Sequence, residues 1–590
     1  MGWKGSKKMK NQELARVFER IADLLEIDGA DTFRVNSYRR VSRTLKDAVE
    51  DIEELAAEKR LNELPGIGKA SAQRIVLYLT TGHIDVLDEL EAKFPPGLSK
   101  LLEIPGLGPK KVALVHKMLG VASTDDLQRV IASGELEKLP GLGAASVKKI
   151  ADGMAFLQSS GGRTPLGEAI PIAESFLARV KSIPGVRRAE IAGSLRRGSE
   201  TIGDIDILCD ARDPEAAIKA FIKFEGVKRM LAAGTTKGSV TIDLIDGREL
   251  QIDLRAIEEK SFGAAWQYFT GSKEHNVRLR ERAVSNGWRL NEYGLHEGEK
   301  LLAGQREEDI YKKLGLPWIP PELREGRGEF DEAVAAEELV SLDDLRGDLH
   351  MHTVASDGRC TIEEMAEAAK KLGYEYIAIC DHSKSSTIAN GLSIERMKEH
   401  IAAIRDVAKR TKGIAVLVGC ECDILPDGSL DYPNDILEQC DWVVASIHSA
   451  MGPGESHKKS PTERTLSAMR NPFVSAIGHP TGRLINKRAP MDLDLSAVIE
   501  AANETATFLE VNASWQRLDL KDLHVRQAIA AGVTLVIDTD AHHSDQLAWM
   551  RFGVMTARRG GAKKKNVLNC LTPAALRKRI AQKRKDHSAE

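Results

Sequence analysis

The sequence predicts a multidomain α/β chain: a helical N-terminal region, a mixed α+β middle and a C-terminal distorted βα barrel. Three observations carry this expectation. The chain has 590 residues, more than one hydrophobic core can serve when domains run to about 100–200 residues. A short glycine-rich segment recurs three times in the N-terminal part, each time ahead of a helical pattern. Toward the C-terminus, short apolar segments (YIAIC, IAVLVG, WVVASI, VSAIG, TFLEV, VTLVI) alternate with helical stretches, the order that builds parallel strands.

Composition narrows the class. Apolar residues make up 42% and charged residues 29%, the profile of an ordinary globular protein. No run approaches the roughly 18–20 apolar residues of a membrane span, and the polar start MGWKGSKKMKNQ lacks the apolar segment of a secretory signal. A cytoplasmic protein with no membrane partner is therefore expected, and it is taken to be a monomer. The seven cysteines show no CxxC spacing, so they are expected to be reduced thiols rather than zinc ligands or disulfides. Lys plus Arg (84) nearly balances Asp plus Glu (87), so any nucleic-acid surface must be local.

From Asn11 to about Glu58, apolar residues recur three and four apart, the spacing of amphipathic helices. The repeats follow: LPGIGK from Leu64, IPGLGPK from Ile104 and LPGLGA from Leu139. Their glycines are Gly66 and Gly68, Gly106 and Gly108, Gly141 and Gly143. Glycine lets the backbone pass close to a ligand, and the amides that open the next helix can face a phosphate. Such contacts position a protein on DNA without reading bases. Each repeat is followed by lysine: Lys69, Lys110 with Lys111, and Lys148 with Lys149. The pattern resembles the helix-hairpin-helix element of DNA repair and replication proteins. A structural turn between packed helices is the alternative for one copy; three copies with lysines favour DNA.

From Ala189 the texture changes to strands such as IDILCD, SVTIDLI and ELQIDL. The segment AGSLRRGSETIGDIDIL holds Gly193, Ser194, Arg197, Gly203, Asp204 and Asp206. Carboxylates at i and i+2 on a strand share a face. With a third from a neighbouring strand they can hold two Mg2+ ions about 4 Å apart. Asp253, alone among apolar neighbours in ELQIDL, is the preferred third ligand, and Asp243 is the rival. GS followed by DxD belongs to nucleotidyltransferases at large and does not say which polymer is made; solvated edge-strand acids are the plain alternative.

YFTGSKEHNVRLR, from Tyr268 to Arg280, resembles the nucleotide pocket of the family X DNA polymerases, the polymerase beta-like enzymes. The resemblance runs from about Asn11 to Glu325 and includes NEYGL and WIPPELREGRGE. It implies that Tyr268 and Phe269, with Gly271, lie under the sugar, and that Asn276 meets the incoming base. It further implies that Arg280 meets the template strand and that Gly193, Ser194, Arg197 and Gly203 meet the triphosphate. Lys273 stands where the vertebrate enzyme has an acid, so that contact is not carried over. The implied organisation is a helical DNA-binding domain (1–84), a fingers-like helical domain with two further hairpins (85–160), a palm (161–257) and a thumb for nucleotide selection (258–322). The Pro-, Gly- and acid-rich segment 323–346 is the expected linker and main boundary.

Beyond it, ten of the fifteen histidines lie between His350 and His543, about a third of the chain. In DLHMHT, His350 and His352 leave a strand end on one face. Asp357, His382, Glu421, His448, His479, Asp540 and His542 sit at the ends of later apolar segments, where barrel enzymes keep their sites. Imidazoles with carboxylates suit Zn2+, Mn2+ or iron, and nine ligands suit about three ions. Any one histidine is more often packed or solvated than a ligand; the whole series is not so explained. It resembles the polymerase and histidinol phosphatase (PHP) domain, a phosphoesterase with a trinuclear centre, here over 347–575, with Glu421 as bridging ligand. Asp357 stands where other PHP proteins place histidine, which bears on the choice of Mn2+ or Zn2+. Residues 576–590 are expected to be a solvated basic tail.

A family X polymerase fused to a PHP domain resembles the bacterial PolX proteins. That implies a template-directed, gap-filling polymerase of base excision repair with a metal-dependent 3′→5′ exonuclease, acting on gapped or primed double-stranded DNA and deoxynucleoside triphosphates. Rival readings are a histidinol phosphatase-like enzyme joined to another nucleotidyltransferase, and a DNA-binding scaffold with decayed centres. One departure has a consequence: Arg74 stands where lyase members of the family place a Schiff-base lysine. With a pKa above about 12, a guanidinium offers almost no neutral nitrogen at pH 7. Borohydride trapping on an incised abasic site should therefore give little covalent adduct in residues 1–84; a strong adduct there would show that another lysine has taken the role.

Overall fold

The computed structural model describes residues 7–588 apart from 48–51, 65, 96, 103, 105, 145, 149, 152–153, 155–161, 332–335 and 452–458. Lys149 of the third hairpin thus lies outside the described residues. The chain divides into two compact units, Met1–Gly161 with Asn486–Ala489, and Gly162–Ile485 with Pro490–Glu590. Among the described residues no helix is long and apolar enough to cross a membrane, and all seven cysteines are buried and unpaired.

The first unit is helical. In the helix Lys7–Ile27, Leu14, Phe18, Ile21 and Leu25 turn one stripe to the core, the three-and-four spacing of an amphipathic helix. The three hairpins share one local solution. Their first glycines take positive φ (82° at Gly66, 89° at Gly106, 75° at Gly141), a conformation open to residues without Cβ. The next residue, Ile67, Leu107 or Leu142, is buried and anchors the turn. Gly68 and Gly108 are extended and cap the helices Lys69–Thr81 and Pro109–Leu119. A Cβ on Gly68, Gly108 or Gly143 would meet nothing, so these backbones face open space, beside exposed Lys69, Lys110 and Lys148. Left-handed Gly82 and Gly120 end the two helices.

The second unit begins with a five-stranded sheet. Its spatial order is Val186–Ile191, Asp204–Ala211, Glu249–Ala256, Lys237–Asp243 and Arg229–Ala233, with only the second and third strands parallel. Helices Leu166–Lys181 and Pro214–Phe221 cover one face. Next come helices Phe262–Thr270 and Lys273–Ser285, a small antiparallel sheet within 289–303, and helix Glu307–Lys313. At their centre lies an ion cluster. Buried Glu307 accepts from Arg196 Nη1 and Nη2 at 2.7 and 2.8 Å, and from Arg324 Nη1 and Nη2 at 2.8 and 3.2 Å.

Seven parallel strands follow, adjacent in the order of the sequence: Gly347–Met351, Tyr376–Ile379, Ala415–Asp423, Trp442–Ser446, Ala476–Ile477, Phe508–Asn512 and Leu535–Asp538. A parallel bridge between Met351 and Ala541 joins the two ends into a nearly closed barrel. Strands covered on both faces read as continuous apolar runs, as these do. Leu349, Tyr376, Leu417, Trp442, Phe508 and Val536 form one cluster with Leu576 and Ile580 of the last helix, Pro573–Ser588. The expected basic tail is therefore part of a helix that packs through Leu576, Ile580 and Lys583. Its Lys583 is buried and donates to the Val474 carbonyl, and burial pushes its pKa down to about 7.

The main boundary also differs from expectation. The division falls near residue 161, while the 323–346 segment carries fully buried Arg324 and buried Glu329. Proline, glycine and acid mark a linker only when the chain leaves the protein; here Glu307 holds Arg324, His275 holds Glu329 and Asp522 holds Arg327. Ile485, Leu518 and Phe552, from the barrel side, join the apolar core of the five-stranded sheet. Trp515 fills the space beside Gly167, where a Cβ would come within 2.2 Å of its ring.

Removing Glu307 would leave two buried guanidinium groups unpaired. Breaking a buried ion cluster by deleting one partner costs about 3–5 kcal/mol. Glu307→Gln should accordingly lower the urea midpoint of this unit by a corresponding amount, read by tryptophan fluorescence; an unchanged midpoint would mean the cluster contributes nothing to stability.

Candidate active sites

On the five-stranded sheet, Asp206 and Asp253 are direct partners across the parallel pair of strands, and Asp204 lies opposite Gln251. The i and i+2 spacing puts Asp204 and Asp206 on one face, and the register brings Asp253 beside them. Gly193, at φ 67°, lets the Asp206 carboxylate approach: a Cβ there would lie 2.6 Å from Oδ2. Burial first, then Asp204 and Asp253, push the Asp206 pKa up to about 7. Asp204 is raised by burial and by Asp253. Burial alone would raise Asp253 too, but Lys237 Nζ at 2.8 Å and Gln251 Nε2 at 2.8 Å bring it below the ordinary value. Asp204 and Asp206, both raised by neighbouring carboxylates, are what a divalent cation relieves. Asp243 lies elsewhere, exposed and paired with Lys228 at 2.8 Å.

The short helix Gly193–Arg196 carries Ser194 and leads into Arg197. Arg197 donates from Nη1 to the Thr270 carbonyl at 2.6 Å and from Nε to Glu325 at 2.9 Å. Gly271, at φ 69°, leaves room for that guanidinium, since a Cβ would sit 3.2 Å from Nη1. Tyr268 and Phe269 close the helix Phe262–Thr270 with their rings edge to face. Asn276 donates to the Tyr268 carbonyl at 2.7 Å and accepts from Gln267 at 2.7 Å. Arg280, one turn on, is exposed and donates to the Asn276 carbonyl. Gly203 lies open on the strand approach, near Arg163.

The histidine-rich centre is built around Glu421. Its Oε2 lies 3.5, 3.6 and 2.9 Å from ring nitrogens of His350, His352 and His382. Its Oε1 lies 3.3 and 3.0 Å from His448 and His479. On one flank Asp540 Oδ1 is 3.1 Å from His352 Nε2 and 3.9 Å from His350 Nε2. On the other, Asp357 lies 3.6 Å from His382 and 3.3 Å from His542. Three overlapping groups have metal-binding geometry: His352, Asp357, His382 and His542; His350, His352 and Asp540; His382, Glu421 and His448. His479 adds its imidazole to the Glu421 side.

Hydrogen bonds do not satisfy this cluster. His350 Nε2, His352 Nδ1, His382 Nδ1, His479 Nδ1 and Glu421 Oε2 are buried without a hydrogen-bond partner, an arrangement that costs free energy unless cations complete it. The residues thus fit divalent metals. Protons serve the set unevenly. Burial disfavours charge on every ring, yet carboxylates hold His448 up to about 10 while His479 falls to about 3.

Several supporting residues were not singled out in the sequence. Glu510 accepts from His350 Nδ1 at 2.6 Å and from the His479 amide. Asp423 pairs with His448 Nδ1 at 2.5 Å. Asp381 bonds Thr353 and Ser356 in the loop that leads to Asp357. A lone acid inside an apolar strand, as in FLEVN, was the available signal. Arg517 had none: its Nε lies 3.6 Å from Asp540 Oδ2, and its buried Nη1 has no hydrogen-bond partner. Partners that orient a metal-binding imidazole are worth about 10–100-fold in metal affinity. Glu510→Gln should weaken Mn2+ or Zn2+ binding by that factor in a chelator competition; unchanged affinity would show that His350 is oriented without it.

Comparison with known proteins finds the same series of domains. Residues 9–84 match the helix-hairpin-helix domain, 98–154 the SAM-like helix-hairpin-helix tandem, 265–325 the DNA polymerase beta thumb and 348–514 the PHP domain. The chain is 25% identical to rat DNA polymerase lambda over 347 residues, 53% of this chain and 56% of that one. It is 31% identical to a probable phosphatase of Acetivibrio thermocellus over 205 residues, 33% of this chain and 79% of that one. To the DNA polymerase/3'-5' exonuclease PolX of Bacillus subtilis it is 38% identical over 563 residues, 97% of that protein. With that likeness running through 95% of its own length, from the hairpins to the histidine-rich barrel, the chain belongs to the PolX family.

Proposed function

We propose that this chain is a template-directed DNA polymerase that fills gaps in DNA repair, and that its barrel is a 3′→5′ exonuclease that trims the primer end. One observation carries the reading: a triad of acids, Asp204, Asp206 and Asp253, and a carboxylate ringed by five imidazoles, Glu421, stand on one chain of PolX ancestry. When bound, two Mg2+ ions at the triad and about three Mn2+ or Zn2+ ions at the histidines would supply charge neutralisation and Lewis acidity at phosphate.

The chain's own groups do the rest. Asp204, Asp206 and Asp253 would hold the ions, and Asp206, whose pKa is pushed up to about 7, would bind one in its ionised form. Tyr268 and Phe269 are held by Asn276 at the Tyr268 carbonyl, so the backbone at 268–271 can lie along the sugar edge and exclude a 2′-hydroxyl. By the family resemblance Ser194, Arg197, Gly193 and Gly203 would receive the triphosphate, with Asn276 toward the base and Arg280 toward the template. In the barrel, Arg517 offers an unpaired N–H beside Asp540, a donor for an oxygen of the phosphodiester. The hairpin amides at Gly66, Gly68, Gly106, Gly108, Gly141 and Gly143, with Lys69 and Lys110, would hold the backbone of gapped or primed duplex DNA. The protein is read as a monomer.

The likeness of the barrel to probable phosphatases favours one rival, a small-molecule phosphomonoesterase. Single-stranded DNA offered beside histidinol phosphate separates the two. Asp204→Ala with Asp206→Ala should abolish gap filling and leave 3′ degradation. His350→Ala with His352→Ala should abolish degradation and leave gap filling. Removing one residue of a set that acts as a unit costs orders of magnitude in rate, so primer extension and degradation gels resolve each loss. Parallel loss of both activities in either folded variant would sink the two-site reading.

A further inference from the structure

The nucleotide pocket and the barrel meet at one carboxylate. Glu325 accepts from Arg197 Nε at 2.9 Å and from Arg559 Nη1 at 2.8 Å. Arg559 ends the helix Met550–Arg559 of the barrel, and its Nη1 also donates to the Arg197 carbonyl at 2.6 Å. Its other nitrogens are taken by Asp522, at 3.1 Å from Nε and 2.9 Å from Nη2. Asp522 in turn holds Arg327 at 2.9 Å. The helix is seated in the core of the five-stranded sheet through Phe552, and Met555 lies against Gly198, the residue after Arg197. Arg559 is therefore fixed from the barrel side with one N–H edge turned to the pocket.

The proposed function gives Arg197 to the triphosphate, and the present inference rests on that reading. In this structure Arg197 is engaged by Glu325 and the Thr270 carbonyl. To turn its Nε edge to a phosphate it must give up its bond with Glu325, a carboxylate only 15% exposed. A half-buried carboxylate deprived of its only partner is costly. Here the carboxylate has a second partner: burial alone would raise its pKa, but Arg559 first and Arg197 next hold it below the ordinary value.

We infer that Arg559, supplied by the barrel, is a positioning residue of the polymerase: it keeps Glu325 neutralised so that Arg197 can turn from Glu325 to the triphosphate. Without it, Glu325 would compete for Arg197 against the incoming nucleotide. The effect belongs to nucleotide affinity rather than to the chemical step, because Arg559 makes no contact with the acid triad. A residue that merely glues barrel to sheet would change stability and both activities together.

The test is gap filling by the full-length protein with a titrated deoxynucleoside triphosphate. Arg559→Met should raise KM for the nucleotide about tenfold, equivalent to about 1.4 kcal/mol, with little change in kcat and with degradation of single-stranded DNA intact. Adding Glu325→Gln to that variant removes the competing charge and should restore most of the affinity, a coupling that a double-mutant cycle isolates. Arg559→Lys should fall between, since one ammonium cannot serve Glu325, Asp522 and the Arg197 carbonyl together. It is the variant of record should Arg559→Met lose both activities and its fold. An unchanged KM in a folded Arg559 variant, or a rise that Glu325→Gln does not relieve, overturns the inference. Arg197→Ala separates the two levels: if it raises KM and Arg559→Met does not, only the coupling fails. If Arg197→Ala leaves KM unchanged, the triphosphate role of Arg197 falls and the coupling with it.

Discussion

An anion shut away from water at the end of a barrel governs the C-terminal half of this molecule. Glu421 is almost fully buried, with imidazoles around both of its oxygens. A carboxylate in such a place is tolerable only if positive charge is brought to it. Parallel strands are suited to that task, because each strand ends at the same rim and can deliver one side chain there. His350 and His352, His382, Glu421, His448, His479, and Asp540 with His542 arrive at or just beyond the ends of six of the seven strands. Asp357 comes from the loop after the first strand, where Asp381 pins the backbone at Thr353 and Ser356.

The acid triad meets the same constraint in smaller form. A third acid on the parallel neighbour raises the pKa of the two on one strand face, and the geometry persists because Lys237 and Gln251 hold Asp253 while Gly193 yields space to Asp206. Both centres are thus sets of groups that the protein holds in place but does not itself neutralise. Each relies on cations for its lowest free energy, and cations at such sites are what phosphoryl transfer requires.

What joins the centres is packing as well as charge. Barrel residues Ile485, Leu518 and Phe552 complete the apolar core of the five-stranded sheet, and Trp515 occupies the place of a side chain at Gly167. Close-packed interiors have low compressibility and transmit strain. A sheet and a barrel sharing one core behave as one body, and Arg559 reaches the nucleotide pocket across that shared surface.

Much of this was legible in the chain. Periodicity of two and of three to four marked strands and helices, and the glycines of the three hairpins marked the turns where positive φ is needed. The spacing DxD placed two acids on one face, and the recurrence of histidine at the ends of apolar runs marked a metal-rich rim. These features are local: they depend on residues a few positions apart, which backbone geometry alone brings together. The pairing of Asp206 with Asp253, the gathering of histidines on Glu421, the burial of Arg324 inside an apparent linker and of Lys583 inside an apparent tail, and the meeting of Arg197 with Arg559 across 362 residues were decided by tertiary structure. Composition cannot tell a charge in water from a charge held by a distant partner, because only the folded chain fixes how far apart the partners are and how much solvent lies between them.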